Sequence, residues 1–217
     1  ATQKLLKVLS SIKPKNLYIA CDGARLGNDI EIKKVRQTKE VVKKEINWDV
    51  NLRTLYNKKN FGCKYGVSNA INWFFDNVEE GIILEDDCIP HVDFFDFCSL
   101  LLEKYRNDKR IFCISGANQI NKTIGDGSYF FSRYNHCWGW ASWRRCWNKY
   151  DVNMSRWPEY KKLELIKSNF FLKKEQNFWI KVFDNYYLNG FPDSWDYQWF
   201  FTALIHGGIT AIPNKNL

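Results

Sequence analysis

The chain has 217 residues, of which 45% are hydrophobic and 26% are charged, a composition that excludes general disorder. A chain of this length buries roughly 70% of its unfolded surface, so it needs neither disulfides nor a structural metal to fold. The net charge of +8 favours an anionic partner, whether nucleic acid, acidic membrane or phosphorylated small molecule.

Apolar runs of strand length alternate with segments of helical periodicity through the first 117 residues. The pattern predicts helices over residues 1–12, 29–45, 67–78 and 94–106. It predicts strands over residues 17–21, 50–56, 81–84 and 111–115. This alternation is typical of an α/β fold whose sheet is mostly parallel and flanked by helices.

Beyond residue 117 the pattern changes to a polar irregular stretch, an aromatic cluster, a mostly helical region and a short last helix, at residues 118–135, 136–147, 160–187 and 195–206. We therefore expect one domain with a sheet-bearing half (1–117) and an aromatic, helix-rich half (118–217). The first helix has no strand before it, and residues 210–217 have the pattern of a strand and loop that stop in mid-element. We expect a fold truncated at both ends.

Seven cysteines are scattered through the chain. They form no Cys-x-x-Cys pair, so we expect no zinc site. Most lie in apolar runs, as buried free thiols do, which favours a reducing compartment.

An acidic triplet, Glu85-Asp86-Asp87, directly follows the predicted strand 81–84. Ligand sites of open α/β sheets gather at the carboxyl ends of strands. Adjacent carboxylates repel one another unless a cation is near, and their hard oxygens suit Mg²⁺ or Mn²⁺. The alternative is a solvated acidic turn before the helix at Phe94, which the triplet alone favours because such triplets are common.

Two further segments carry groups that could bind a nucleotide. The strand at 17–21 leads into Asp22, Gly23 and Arg25, where Asp22 could accept a hydrogen bond from a base and Arg25 could hold phosphate. The glycine-bearing loop 60–66 precedes a helix, whose N-terminal amides and Lys64 favour an anion. Taken alone, the first segment is better explained as a strand followed by an Asp-Gly turn with Arg25 exposed. The alternative for the second is an ordinary strand-to-helix connection.

The last predicted helix offers a candidate base. Ser194 is a candidate N-cap and places Asp196 in the first turn, where it could act as general base on a sugar hydroxyl lying against a ring. The alternative is a favourable N-terminal acid over an aromatic core. The tryptophans of residues 136–147 could stack on sugars or fill the core, and His136 and His206 are equally structural residues or metal ligands.

Taken in chain order, these segments resemble the nucleotide-sugar glycosyltransferases of the GT-A fold, in particular N-acetylglucosaminyltransferase I and bacterial relatives. The most specific part is ILEDDCIPHVDFF, supported by YIACDGAR and CWGWASW, with a looser match around the last helix. The resemblance covers most of the chain. The strand that opens the family's Rossmann-like fold is absent from this sequence.

The resemblance implies a role for each matching residue. Asp22 matches the acid that reads uracil, Arg25 the basic residue near the diphosphate, and Asp196 the catalytic base. The acidic triplet matches the metal-and-ribose motif, with Asp87 as the Mn²⁺ or Mg²⁺ ligand and Glu85 and Asp86 on the nucleotide. We also expect nucleotide binding by Ala20, Asn60 and Lys64, and acceptor binding by Trp138, Trp140 and Trp195.

The resemblance further implies a metal-dependent, inverting hexosyl- or N-acetylhexosaminyltransferase. Its donor would be a UDP-sugar and its acceptor a glycan, a lipid-linked or another hydroxyl compound, with residues 1–117 binding the nucleotide sugar and 118–217 the acceptor. We expect a cytoplasmic enzyme, soluble or peripheral at the membrane, with no nucleic-acid partner. Two alternatives remain open: a nucleotidyltransferase that makes NDP-sugars, and a non-catalytic carbohydrate- or nucleic-acid-binding module.

Overall fold

Strands and helices alternate through the first half of the chain, close to the predicted bounds. The computed structural model describes residues 1–120 and 122–217. The helices here are α1 (Thr2–Ile12), α2 (Asp29–Glu45), α3 (Gly62–Asn77) and α4 (Asp93–Tyr105). The strands are β1 (Asn16–Cys21), β2 (Asn51–Tyr56), β3 (Glu80–Ile83) and β4 (Ile111–Ser115).

The second half contains strands as well as helices. Its strands are β5 (Tyr129–Ser132), β6 (Trp140–Trp143) and β7 (Ile209–Pro213). Its helices are α5 (Arg144–Trp147), α6 (Trp157–Lys162), α7 (Ile166–Asn169), α8 (Lys173–Asn189) and α9 (Asp196–Ile205). The prediction of an irregular stretch at 118–135, of which residue 121 lies outside the described residues, missed β5.

The strands form mixed sheets, so the prediction of a mostly parallel sheet is wrong. In the described part of the chain, β1 and β2 pair in parallel as a two-stranded sheet, and the larger sheet has the order β3-β6-β4-β7-β5. Within it β4 and β7 are parallel, whereas β6 is antiparallel to both β3 and β4, and β5 is antiparallel to β7. The α/β class is confirmed. The parallel prediction failed because β6, which was not predicted as a strand, lies between β3 and β4.

The core on one side of the larger sheet is built from tryptophans. Trp140 of β6 is fully buried, and its ring centroid lies 5.6 Å from those of both Trp195 and Trp199. Trp147 of α5 completes the cluster, 5.2 Å from Trp199. These contacts fix the N-terminal end of α9 against the sheet. Among the described residues, no helix combines the length and apolar character that crossing a membrane requires.

Candidate functional site

The acidic triplet forms a tight turn at the carboxyl end of β3. The Cys88 N–H donates to the carbonyl of Glu85 at 3.0 Å, which closes the turn. Asp86 and Asp87 are exposed and Glu85 is half-buried. Asp86 accepts a hydrogen bond from the Thr2 hydroxyl of α1 at 3.3 Å, so it faces the first helix.

Several neighbouring groups act together on the pKa of Glu85, the first residue of this turn. Burial raises its pKa, and the negative charges of Asp87 and Asp196 raise it further, while a hydrogen bond from Trp195 lowers it. The charge of Asp86 is the smallest of these influences. The structure therefore places Asp196 close enough for its charge to act on Glu85, although Asp196 lies more than a hundred residues further along the chain.

A cleft of about 300 Å³ opens beside the turn. Asp87 and the exposed Trp138 both line it, with Gly116 and Gly139 between the strand ends. The backbone at Gly139 is left-handed (φ +74°), and a Cβ on Gly116 would lie 2.7 Å from the Phe94 ring, so both glycines let the backbone pass close to its neighbours. Asp87 and Trp138, predicted for metal and acceptor respectively, thus share one cavity.

Asp196 is the first residue of α9 and is half-buried. The Ser194 hydroxyl donates a hydrogen bond to its carboxylate. Ser194 is therefore not the N-cap: Trp195 occupies that position, without a side-chain cap. The charge of Asp196 also adds to the raised pKa of Cys137 and of Cys63, in which burial is the largest cause.

Asp22 joins the end of β1 to the loop before α3. Its carboxylate accepts hydrogen bonds from the Phe61 N–H at 2.7 Å and from the Asn57 side chain at 3.2 Å. The Asn60 amide donates to the Gly23 carbonyl at 2.9 Å. Asp22 and Asn60, both predicted to bind nucleotide, therefore also order this loop. Nearby, Ala20 is exposed on β1.

Arg25 lies further from this loop, on the surface. Its side chain is 68% exposed and pairs with Glu31 in the first turn of α2. Glu31 also accepts from the Arg25 backbone N–H at 2.9 Å. An exposed ion pair of this kind contributes little free energy, so the guanidinium can exchange Glu31 for a phosphate at small cost.

Replacing Gly23 with alanine is expected to destabilise the protein by roughly 1–3 kcal/mol. The added Cβ would lie 2.6–2.7 Å from the backbone C, N and O of Lys59, which cannot rotate away as a side chain can. A urea titration checks the loss. Gly27→Ala is a control for strain without contact, because that glycine has a left-handed φ and no atom within 4 Å of the added Cβ. A Gly23→Ala loss no larger than the control would contradict the expectation.

A protein carboxylate occupies the anion position predicted at the start of α3. Asp193 accepts hydrogen bonds from the Cys63 and Lys64 N–H groups at 2.8 and 2.9 Å. A Cβ on Gly62 would lie 2.5 Å from Asp193 Oδ2, so only glycine at this position lets the Asp193 carboxylate reach the helix N-terminus. The Lys64 ammonium lies over the Tyr65 ring, 5.3 Å from its centroid. The predicted phosphate loop is thus corrected to a contact between the chain's two halves.

Asp193 is not among the site residues predicted from the sequence. A signal was present, since the helix begins after Phe61 with no side-chain cap, and its free amides require an acceptor from elsewhere. What the sequence could not supply is that this acceptor lies 130 residues further along the chain.

Two of the three predicted acceptor tryptophans belong to the core. Trp140 and Trp195 are 0% and 1% exposed, so neither ring offers a face to a sugar. Trp138 is 63% exposed and is the one of the three available for stacking. The prediction for Trp140 and Trp195 is therefore corrected.

His136 and His206 have the character of structural residues. Burial lowers the pKa of His136 below its ordinary value of 6.5; burial, then the charges of Lys149 and Arg156, lower the pKa of His206. The folded state thus binds fewer protons than the unfolded state below pH 6.5. Stability should fall as the pH drops through 6.5 towards the lower folded-state pKa values.

The double variant His136→Gln, His206→Gln should lose less stability than the wild type over that pH range. Urea midpoints measured above and below pH 6.5 give the comparison. His91→Gln is the control, because His91 is exposed and adjoins Asp93. Parallel pH profiles for the wild type and the double variant would show that the two imidazoles do not carry the effect.

The described residues offer few side chains that could bind one metal ion together. Across residues 1–120 and 122–217, no three His, Cys, Asp or Glu side chains converge closely enough to hold an ion by themselves. A divalent cation at the turn would have one or two carboxylate ligands, and this fits Mg²⁺ or Mn²⁺, which keep water and phosphate oxygens in their coordination shells.

The candidate site therefore consists of the acidic turn, Asp196 and the cleft that Asp87 shares with Trp138. No protein-family model and no curated protein matches the chain. The site is therefore defined by the geometry of this structure alone.

Proposed function

We infer that the protein is a metal-dependent glycosyltransferase with a GT-A-type fold. It transfers a hexosyl or N-acetylhexosaminyl group from a UDP-sugar to a hydroxyl of a glycan or lipid-linked acceptor. The observation that carries this proposal is that the charges of Asp87 and Asp196 both act on Glu85 at the carboxyl end of β3, where Asp87 lines an open cleft. The resemblance in the sequence supplies the reaction class.

The acidic turn has the charge that a divalent cation needs. In the described part of the chain, no lysine or arginine forms an ion pair with Glu85 or Asp87, while other acids have such partners. Asp87, exposed at the cleft, would hold Mn²⁺ or Mg²⁺, with Glu85 beside it. When bound, the ion would neutralise charge that develops on the departing diphosphate.

Asp196 and Trp138 supply the acceptor chemistry in this proposal. The Asp196 carboxylate is oriented by the Ser194 hydroxyl and removes the proton from the acceptor hydroxyl as that oxygen attacks the sugar. The exposed Trp138 ring stacks on the acceptor. A direct displacement of this kind inverts the anomeric carbon.

The donor's nucleotide is assigned to the surface formed by Ala20, Asp22 and the loop that Asp22 orders, and Arg25 would exchange Glu31 for a phosphate. The proposed location is cytoplasmic, with peripheral membrane contact. Its support is that the seven cysteines are all free thiols in the structure, as a reducing compartment would keep them.

Calorimetry with UDP and Mn²⁺ tests the proposal. Wild-type protein should bind UDP in the presence of Mn²⁺ and much more weakly without it. Asp87→Asn should weaken the Mn²⁺-dependent binding by roughly 10- to 100-fold, the usual loss when a metal site is perturbed. Asp49→Asn is the matched control, an exposed aspartate just before β2 that belongs to none of the predicted site segments. Equal binding by all three proteins would refute the metal role.

A further inference from the structure

The outward face of α8 carries an exposed stripe that alternates apolar and basic side chains. Phe171, just before the helix, is 93% exposed, and Phe178 and Leu188 are 56% and 73% exposed. Lys174 and Lys181 are exposed between them. Residues 174, 178, 181 and 188 follow helical spacing and fall within one face, opposite the buried Phe183 and Tyr186.

Positive charge on this stripe is not cancelled by nearby acids. The two acidic residues of α8 point to other partners on its flanks and form no ion pair with a lysine of the stripe: Glu175 accepts a hydrogen bond from Tyr134, and Asp184 pairs with Lys161 at 2.7 Å. Across residues 1–120 and 122–217, neither Lys174 nor Lys181 has an ion-pair partner. The face therefore presents two ammonium groups without ion pairs beside exposed hydrocarbon.

We propose that this face of α8, the α8 stripe, binds the surface of an anionic membrane. Phe171, Phe178 and Leu188 enter the boundary between headgroups and acyl chains, while Lys174 and Lys181 pair with lipid phosphates. A helix lying in the membrane plane requires this combination of apolar side chains and lysines on one side, with the other side packed on its own protein.

Nucleic acid is the other anionic partner that the lysines could bind, and the apolar residues of the stripe argue against it. Bases are held by stacking on rings, whereas Leu188 and the neighbouring exposed Leu172 are aliphatic and gain most from hydrocarbon. Phe178 is the one exposed ring among the stripe residues that lie within the helix, so the helical part of the stripe offers no pair of rings for adjacent bases.

The stripe uses no residue of the acidic site, so the proposal stands whether or not the protein transfers sugar. The chain nevertheless connects the two places directly. Helix α8 ends at Asn189 with Gly190 as its C-cap, and residues 191–195 lead from there to Asp196 at the start of α9. A protein docked through α8 would hold this segment close to the lipid surface.

Vesicle co-sedimentation at physiological salt tests the proposal. Wild-type protein should bind vesicles of equal parts phosphatidylcholine and phosphatidylglycerol, and bind phosphatidylcholine vesicles far more weakly. Lys174→Gln with Lys181→Gln should weaken binding by about 30-fold, or roughly 5-fold for each lysine. Phe178→Ser should weaken it by roughly 10-fold. Ile30→Ser with Lys33→Gln, the same exchanges on the exposed face of α2, should leave binding unchanged.

Binding equal to wild type in both α8 variants, or an equal loss in the α2 variant, would overturn the proposal. So would a wild-type protein that ignores the anionic vesicles but binds an oligonucleotide through the same lysines. Hydrogen exchange on wild-type protein provides a measurement that needs no variant. Anionic vesicles should slow exchange at the ends of α8, around residues 171–174 and 186–190, and unchanged exchange there would equally count against the stripe.

Discussion

Asp196→Asn is expected to slow sugar transfer by about 10²- to 10⁴-fold while leaving UDP binding intact. Under the proposed function, the asparagine keeps the shape of the side chain and its contact with Ser194 but cannot accept the acceptor's proton. Single-turnover transfer with a UDP-sugar measures the rate, and calorimetry measures the binding.

Ser194→Ala gives the matched comparison for that variant. It removes the hydrogen bond that orients the carboxylate but leaves the base in place, so the rate should fall much less than in Asp196→Asn. Wild-type turnover by Asp196→Asn would remove Asp196 from the chemistry, even if UDP and Mn²⁺ still bind. The rate measurement therefore tests the assignment of the base, and the binding measurement tests the nucleotide site independently of it.

Trp140→Ala is expected to cost about 3–5 kcal/mol of unfolding free energy. The side chain is fully buried on the strand between β3 and β4, and its ring packs against three other tryptophans. Chemical denaturation followed by circular dichroism measures the loss. Because the lost ring supports the start of α9, the variant should also lose activity.

Trp138→Ala is the control, because the same residue type two positions earlier is mostly exposed. It should change stability by no more than about 0.5 kcal/mol. Trp140→Phe should lie between the two: it keeps an aromatic ring and removes an indole N–H that has no partner among the described residues. Equal losses for Trp138→Ala and Trp140→Ala would contradict the assignment of Trp140 to the core.

The elements of the first half were predictable because their signals are local. The periodicity of residues 29–45 gave the bounds of α2, and the apolar run at 111–115 gave those of β4. The start of α9 at Asp196 agrees with the expectation that this acid lies in the first helical turn. Each signal lies within the element that it describes.

The elements that were missed depend on distant partners. Strand β6 is buried at all four residues, so the alternation that marks a half-buried strand is absent, and its pairing with β3 lies sixty residues away. Trp138 and Trp140 differ in exposure because one lies before the strand and the other within it. Asp193 likewise depends on a helix in the other half of the chain.

The position of β7 has a consequence for synthesis of the chain. This strand, Ile209–Pro213, lies between β4 and β5 in the sheet, yet it leaves the ribosome some ninety residues after β4. Until then one edge of β4 has no native neighbour, and a buried apolar strand in that state readily pairs with other chains. We therefore expect the yield of the protein to depend on chaperones that shield β4 until β7 has been synthesised.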